Sequence, residues 1–244
     1  MYGDEEFFVK ASQGFCVIVL LILRKEYVMN TKHVLDGQYK LETLRTDGLS
    51  ESELGKVAEQ IKAMYLWFAP DSTDDDIHAR LCQHAEAHID ILTHVESGEC
   101  RGFSVYYTEQ INGHRVMFRG GTIVRDRSCG LYKILLLNSI SVEEQDFVAA
   151  MTQNPRVYET LRSLSSFGVA YPSMGANPPE AVRGIVSALC KVPSIDLDTM
   201  IVHDIYNTIR KDADFKKAKD PLVEKFFANS LNENDGFFVV VPLR

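Results

Sequence analysis

Residues 120–140 read GGTIVRDRSCGLYKILLLNSI, and the fold depends on how this stretch divides. A glycine pair leads into the β-branched run Thr122-Ile123-Val124. Three charges follow at Arg125-Asp126-Arg127, then Ser128-Cys129-Gly130, and from Leu131 the chain turns strongly apolar. β-branched residues suit a strand, and a longer apolar stretch just after a glycine suits a helix. A strand that passes through a glycine-containing loop into a helix start makes an anion site. The first helical amides have no partner within the helix, and the helix dipole adds partial positive charge there. Gly130 permits close backbone approach, and Arg125, Arg127 and Lys133 supply charge suited to phosphate.

Upstream, YKLETLRT at residues 39–46 alternates apolar and polar positions and predicts a strand. Ser50 and Glu53 form the S-x-x-E pattern of a capping box, and Leu54, Val57, Ala58, Ile61, Met64, Tyr65 and Phe68 follow at helical spacing. Pro70 ends that helix. Ser72-x-x-Asp75, with acids at 74–76, predicts the start of another that carries His84 and His88. Residues 89–95 and 102–110 read as strands, Asn112-Gly113 as a hairpin turn, and residues 114–124 as the returning strand. Downstream, residues 146–152 predict a strand, and Asn154-Pro155 opens a helix with proline in its first turn. Residues 168–200 are irregular around a short helix at 179–190. Residues 199–205 predict a strand, Asp220-Pro221 starts a helix, and GFFVVVPL at 236–243 is a last strand. The order predicts an α/β fold with a mixed sheet, not strict β-α-β alternation.

The totals narrow the function. The 244 residues are 45% apolar and 25% charged, as in ordinary globular chains. A net charge of −8 argues against a general nucleic-acid binder, while leaving room for a local basic pocket. The five cysteines are odd in number and widely spaced, with no C-x-x-C pair, which fits a reducing, cytoplasmic setting. Residues 15–23, FCVIVLLIL, are too short to span a bilayer as a helix. They read either as a buried strand or helix, or as part of an appendage covering residues 1–28, ahead of a domain at 29–244.

With these elements in order, the opening stretch resembles the acetyl-CoA motif of the GNAT superfamily of N-acetyltransferases: a strand ending in valine, Arg/Gln-x-x-Gly-x-Gly/Ala, then a helix. Here Thr122-Ile123-Val124 precedes Arg127-Ser128-Cys129-Gly130-Leu131-Tyr132. The segment between Val124 and Arg127 is shorter than usual, and Tyr132 stands at the last small position. Its side chain must point away from the cofactor, because a pyrophosphate needs the backbone. The resemblance covers residues 38–167 and the last strand. It implies a mixed, mostly antiparallel sheet flanked by helices, with a helical insertion before the C-terminal strands. It also implies acetyl-CoA as co-substrate and a small-molecule or peptide amine as acceptor. Neither a nucleic-acid partner nor a membrane span is expected, and the oligomeric state is open, a homodimer included. Backbone groups of Thr122, Ile123 and Val124 would pair with the pantetheine arm. Amides from Arg127 to Tyr132 would wrap the pyrophosphate, and Asn154 matches an asparagine often found past the next strand.

The catalytic groups are less determined. Many members carry a tyrosine, as general acid for the leaving thiolate, at the position Leu161 holds here. Tyr158, one turn earlier on the same face, is the substitute, with simple packing as its other reading. Glu109 and His114 are candidates for the general base, although both flank the hairpin turn and equally suit solvent. His78, Cys82, His84 and His88 raise a metal site, but no third ligand has a defined position and packing explains the histidines as well. Cys129 has the placement of an activated thiol, yet direct attack by an amine needs no acyl-cysteine. Asp74-Asp75-Asp76 reads as a solvated helix start or a contact for a cationic acceptor. The rival to a transferase is a GNAT-fold module that binds CoA or a protein partner without catalysis.

Overall fold

A computed structural model describes residues 28–82, 84–126, 129–192, 194–205 and 217–244. The apolar run at 15–23 and nearly all of the expected extension lie outside the described residues, as do Arg127 and Ser128. Nine strands and six α-helices form among the described residues, and the chain divides into two compact units, one ending at Phe103 and one spanning Ser104–Arg244.

The first unit is built on an antiparallel meander. Strand β1 (Val28–Val34) pairs with β2 (Tyr39–Arg45), and β2 pairs with β3 (His88–His94) in the register Leu41↔Leu92 and Thr43↔Asp90. Strand β1 is not expected from its sequence. VMNTKHV lacks an apolar alternation because it is an edge strand held by backbone pairing, with Asn30, Thr31 and His33 exposed. Helix α1 (Glu51–Phe68) starts at the predicted capping box: the Glu53 amide donates to Ser50 Oγ, and the Ser50 amide donates to Glu53 Oε2 at 2.8 Å. Its stripe of Val57, Ile61, Met64 and Tyr65 is buried, and Tyr65 stacks on Phe103. Helix α2 (Asp74–Leu81) begins one residue later than predicted, because the reciprocal cap is Thr73 with Asp76. It also stops at Leu81, so His84 falls in a turn and His88 opens β3. The helical i, i+4 spacing expected of those two histidines therefore does not exist. Among the described residues no group of three His, Cys, Asp or Glu is placed to hold a metal.

In the second unit the strand order is β4-β5-β6-β9-β8-β7. Strand β4 (Cys100–Ile111) turns back into β5 (His114–Val124) through Asn112 and Gly113, at φ 51° and 83°, the left-handed pair a two-residue hairpin needs. Helix α3 (Leu131–Val142) crosses over to β6 (Phe147–Thr152), which runs parallel to β5. Helices α4 (Pro155–Arg162) and α5 (Glu180–Leu189) follow, then the short pair β7 (Ile195–Asp196) and β8 (Ile201–Val202). The strand expected at 199–205 is thus only two residues long. Helix α6 (Pro221–Ser230) leads to β9 (Gly236–Pro242), which is antiparallel to β6. The core gathers Met117, Leu136, Val148, Leu161, Phe227 and Phe237. The architecture is the expected α/β one: a mixed, mostly antiparallel sheet with helices and a helical insertion before the C-terminal strands. No helix among the described residues is long and apolar enough to cross a membrane.

Candidate functional site

The parallel ladder between β5 and β6 runs from Val116↔Phe147 to Arg119↔Ala150 and stops. Strand β5 continues to Val124, while β6 keeps pairing on its other edge with β9 as far as Thr152↔Phe237. Two strands that begin as neighbours therefore part after Arg119. From Gly121 onward the β5 edge has no ladder partner on β6. The Gly120-Gly121 pair sits at the parting point. Thr122, Ile123 and Val124 line this open edge, Ile123 being buried and the other two half-buried. An extended ligand with amide groups has there the pairing geometry of an added strand.

Past Val124 the loop leads to Cys129 and Gly130, both exposed. Gly130 has φ 77° and ψ 6° and caps α3 without a side-chain hydrogen bond. A Cβ built on it would meet nothing within 4 Å. Glycine is thus suited here by its left-handed backbone and not by crowding. The Gly130 carbonyl accepts from the Ile134 amide at 3.0 Å. The first-turn amides of α3 are left with the positive end of the helix dipole, beside the open β5 edge. Leu131 is buried and anchors the helix start in the core.

Tyr132 points its ring toward β5. Arg119 Nη1 donates to the Tyr132 phenol at 2.8 Å, and the guanidinium carbon lies 5.0 Å from the ring centre. Arg119 Nη2 donates to Thr122 Oγ1 at 2.6 Å and to Ser104 Oγ at 3.3 Å, and those two hydroxyls lie 2.8 Å apart. Arg119 is only 5% exposed. It forms no ion pair with a carboxylate among the described residues, and its Nε has no hydrogen-bond partner there. Sequence reasoning missed Arg119 and Ser104. The available signal was an arginine closing the apolar run Val116-Met117-Phe118, directly before two glycines.

Of the catalytic candidates, Tyr158 lies in the buried cluster that also holds Ala150, while Glu109 and His114 lie toward the turn of the β4–β5 hairpin. Tyr158 is buried in the core against Phe226 and Phe227, and its hydroxyl donates to the Pro172 carbonyl at 2.8 Å. Burial pushes its phenol upward, so the proton is held more tightly than in a free tyrosine. Leu161 is wholly buried beside it in the same cluster. Glu109 lies near the end of β4, and His114 opens β5 with its ring edge-on to Phe147. His114 lies five residue steps from Arg119, about 16 Å at the usual rise, so Glu109 and His114 belong to the turn end of the hairpin. Burial, helped by the charge of Glu109, pushes the Tyr107 phenol up to about 12, which keeps it protonated at neutral pH. Asn154 spends its Oδ1 on the Arg156 amide as the α4 cap, at 2.9 Å, past the end of β6.

No family model matches the sequence, and no curated protein is similar to it by sequence. Solved structures resemble it weakly. A ribosomal-protein-S5-alanine acetyltransferase from Vibrio fischeri is 11% identical, with a TM-score of 0.43, over 87% of this chain and 96% of that one. A ribosomal-protein-alanine N-acetyltransferase from Brucella melitensis is 19% identical, with a TM-score of 0.38, over 58% and 97%. A GNAT family acetyltransferase from Staphylococcus aureus is 16% identical, with a TM-score of 0.32, over 42% and 76%. Likenesses of this strength decide nothing about activity, which has to be argued from the geometry.

Proposed function

We propose that the protein is an N-acetyltransferase of the GNAT type that moves an acetyl group from acetyl-CoA to an amine. The observation that carries this reading is the parting of β5 and β6 after Arg119↔Ala150, next to the Gly130 entrance to α3. The pantetheine arm takes the open edge at Thr122, Ile123 and Val124. The pyrophosphate lies on the amides from Arg127 to Tyr132, including Ser128, Cys129, Gly130 and Leu131. Asn154 flanks the far side of the gap.

The residues present suit such a ligand. The open strand edge offers amide donors and acceptors to a linear diamide, and a helix start offers amides to phosphate. The acceptor amine attacks the thioester in a ternary complex. The β5 amide near Val124 polarises the carbonyl as negative charge develops on its oxygen. The carbon–sulfur bond breaks, the amide forms, and CoA leaves as a thiolate. A free thiol has a pKa of about 8.5, so protonation of that thiolate near neutrality needs only water. The attacking amine loses its proton to water, and Glu109, the base the sequence proposes, would be reached from the gap only through a chain of waters.

The second reading is a non-catalytic CoA-binding module, favoured by one observation. Leu161 stands where many members of the resembled family carry a tyrosine, and the Tyr158 hydroxyl donates to the Pro172 carbonyl. Incubation with acetyl-CoA and a mixed amine library, followed by thiol release and product masses, separates the two. Acetylated amine with stoichiometric thiol supports transfer. CoA binding without product supports the module, and no CoA binding overturns both.

A further inference from the structure

Arg119 is a buried guanidinium whose partners among the described residues are the neutral hydroxyls of Ser104, Thr122 and Tyr132. Keeping a charge in a protein interior without an acidic partner is costly, and a well-packed apolar residue would cost less. Stability therefore does not account for Arg119 at this position. What it does in the structure is join three parts of the candidate site: β4 at Ser104, the open β5 edge at Thr122, and the first turn of α3 at Tyr132. Thr122 and Arg119 are three apart, and a regular strand would turn them to opposite faces. Their side chains nonetheless meet, across the glycine pair between them.

Tyr132 is the second residue of α3. In a helix the Cα–Cβ bond tilts toward the N-terminus, so a side chain there leans over the unpaired amides ahead of it. An aromatic ring left free at that position would cover the anion site. The geometry points to Arg119 as the positioning residue that prevents this. By hydrogen bond and by cation–π contact it holds Tyr132 against β5. That keeps the α3 start bare where members of the resembled family carry glycine or alanine. The inference rests on the coenzyme reading of the site.

The test is the affinity for CoA, measured by calorimetry on the full chain, in wild type and four variants. Arg119→Met replaces the cation with an apolar chain of similar length and leaves Ser104 and Thr122 bonded to each other, so it should fold. It is expected to weaken CoA binding by about tenfold or more, since the freed ring competes for the site. Arg119→Met/Tyr132→Ala, which removes the freed ring and keeps the amide of residue 132, should recover most of the loss. Tyr132→Phe keeps the ring but removes the phenol that Arg119 grips, so it should bind more weakly than Tyr132→Ala. A purely structural role predicts the reverse order, with the larger truncation doing more harm. Equal affinity in wild type and Arg119→Met, or failure of Tyr132→Ala to rescue, overturns the inference. Should Arg119→Met not fold, the order of Tyr132→Phe and Tyr132→Ala still decides. Absence of CoA binding by the wild type is a different result, one that overturns the coenzyme reading itself.

Discussion

Tyr158 has two chemical uses, as a hydrogen-bond donor within the core and as a proton donor at the site. Its hydroxyl satisfies the Pro172 carbonyl inside the aromatic cluster of Phe226, Phe227 and Phe237. Tyr158→Phe keeps the ring but leaves that buried carbonyl without its donor, which costs about 1–3 kcal/mol. Urea unfolding should show this loss, while CoA affinity and any acetyl turnover stay at the wild-type level. A tenfold fall in turnover with unchanged stability would restore Tyr158 as the acid. The same reasoning from a neighbour's needs applies to Gly130. Its φ of 77° is strained for any residue with a Cβ, by about 1–2 kcal/mol, and nothing crowds it. Gly130→Ala should therefore melt slightly lower, and Gly130→Glu should abolish CoA binding while still folding. Calorimetry with circular dichroism as a control distinguishes the two effects.

At the level of elements, the last connection into β9 is held by one carboxylate. Asp235 is nearly buried. Its Oδ2 accepts from the Asn232 amide and side chain, and its Oδ1 accepts from the Asp204 amide and faces His203 Nδ1 at 3.3 Å. Burial works against ionisation of Asp235, but these hydrogen bonds outweigh it and hold its carboxyl below the usual value. A depressed folded-state pKa contributes stability above the unfolded value of about 3.9, and that stability is lost as pH falls through the folded value. Glu159 behaves alike: burial opposes its charge, while the Lys219 and Asp220 amides and Arg156 favour it. Stability should thus decline below about pH 4. Asp235→Asn should lower stability at pH 7 by about 1–3 kcal/mol and flatten that acid limb. Denaturation midpoints from pH 3 to 7 provide the check. A variant whose acid limb matches the wild type would remove Asp235 from the account.

For the whole molecule, the position of β1 determines where the chain can be shortened. β1 covers the edge of β2 along Thr31↔Glu42 and Val34↔Tyr39. A chain beginning at residue 28 keeps that ladder and is expected to remain soluble and to bind CoA like the full chain. One beginning at residue 37 exposes the β2 edge, a template for intermolecular pairing, and should aggregate. Size-exclusion chromatography and calorimetry on the two truncations would show this. Insolubility of the longer one would mean that residues 1–27 complete the core.

The sequence by itself determined the elements whose cause is local. A capping box at Ser50 and Glu53, an Asn-Gly turn and a proline after Asn154 each act within a few residues, and each appears where the pattern places it. The glycine entrance to α3 was legible for the same reason. Only the tertiary structure decided the rest, because the deciding partner lies far along the chain. β1 owes its conformation to β2 and not to its own side chains. His88 became a strand residue once α2 ended at Leu81 and β3 paired with β2. Tyr158 and Leu161 share a helical face, but which way that face turns is set by α6 and β9 packing on it. Arg119 looked like an ordinary strand charge until Ser104, Thr122 and Tyr132 met around it. Side-chain hydrogen bonds between separate elements leave no periodicity in the sequence to read.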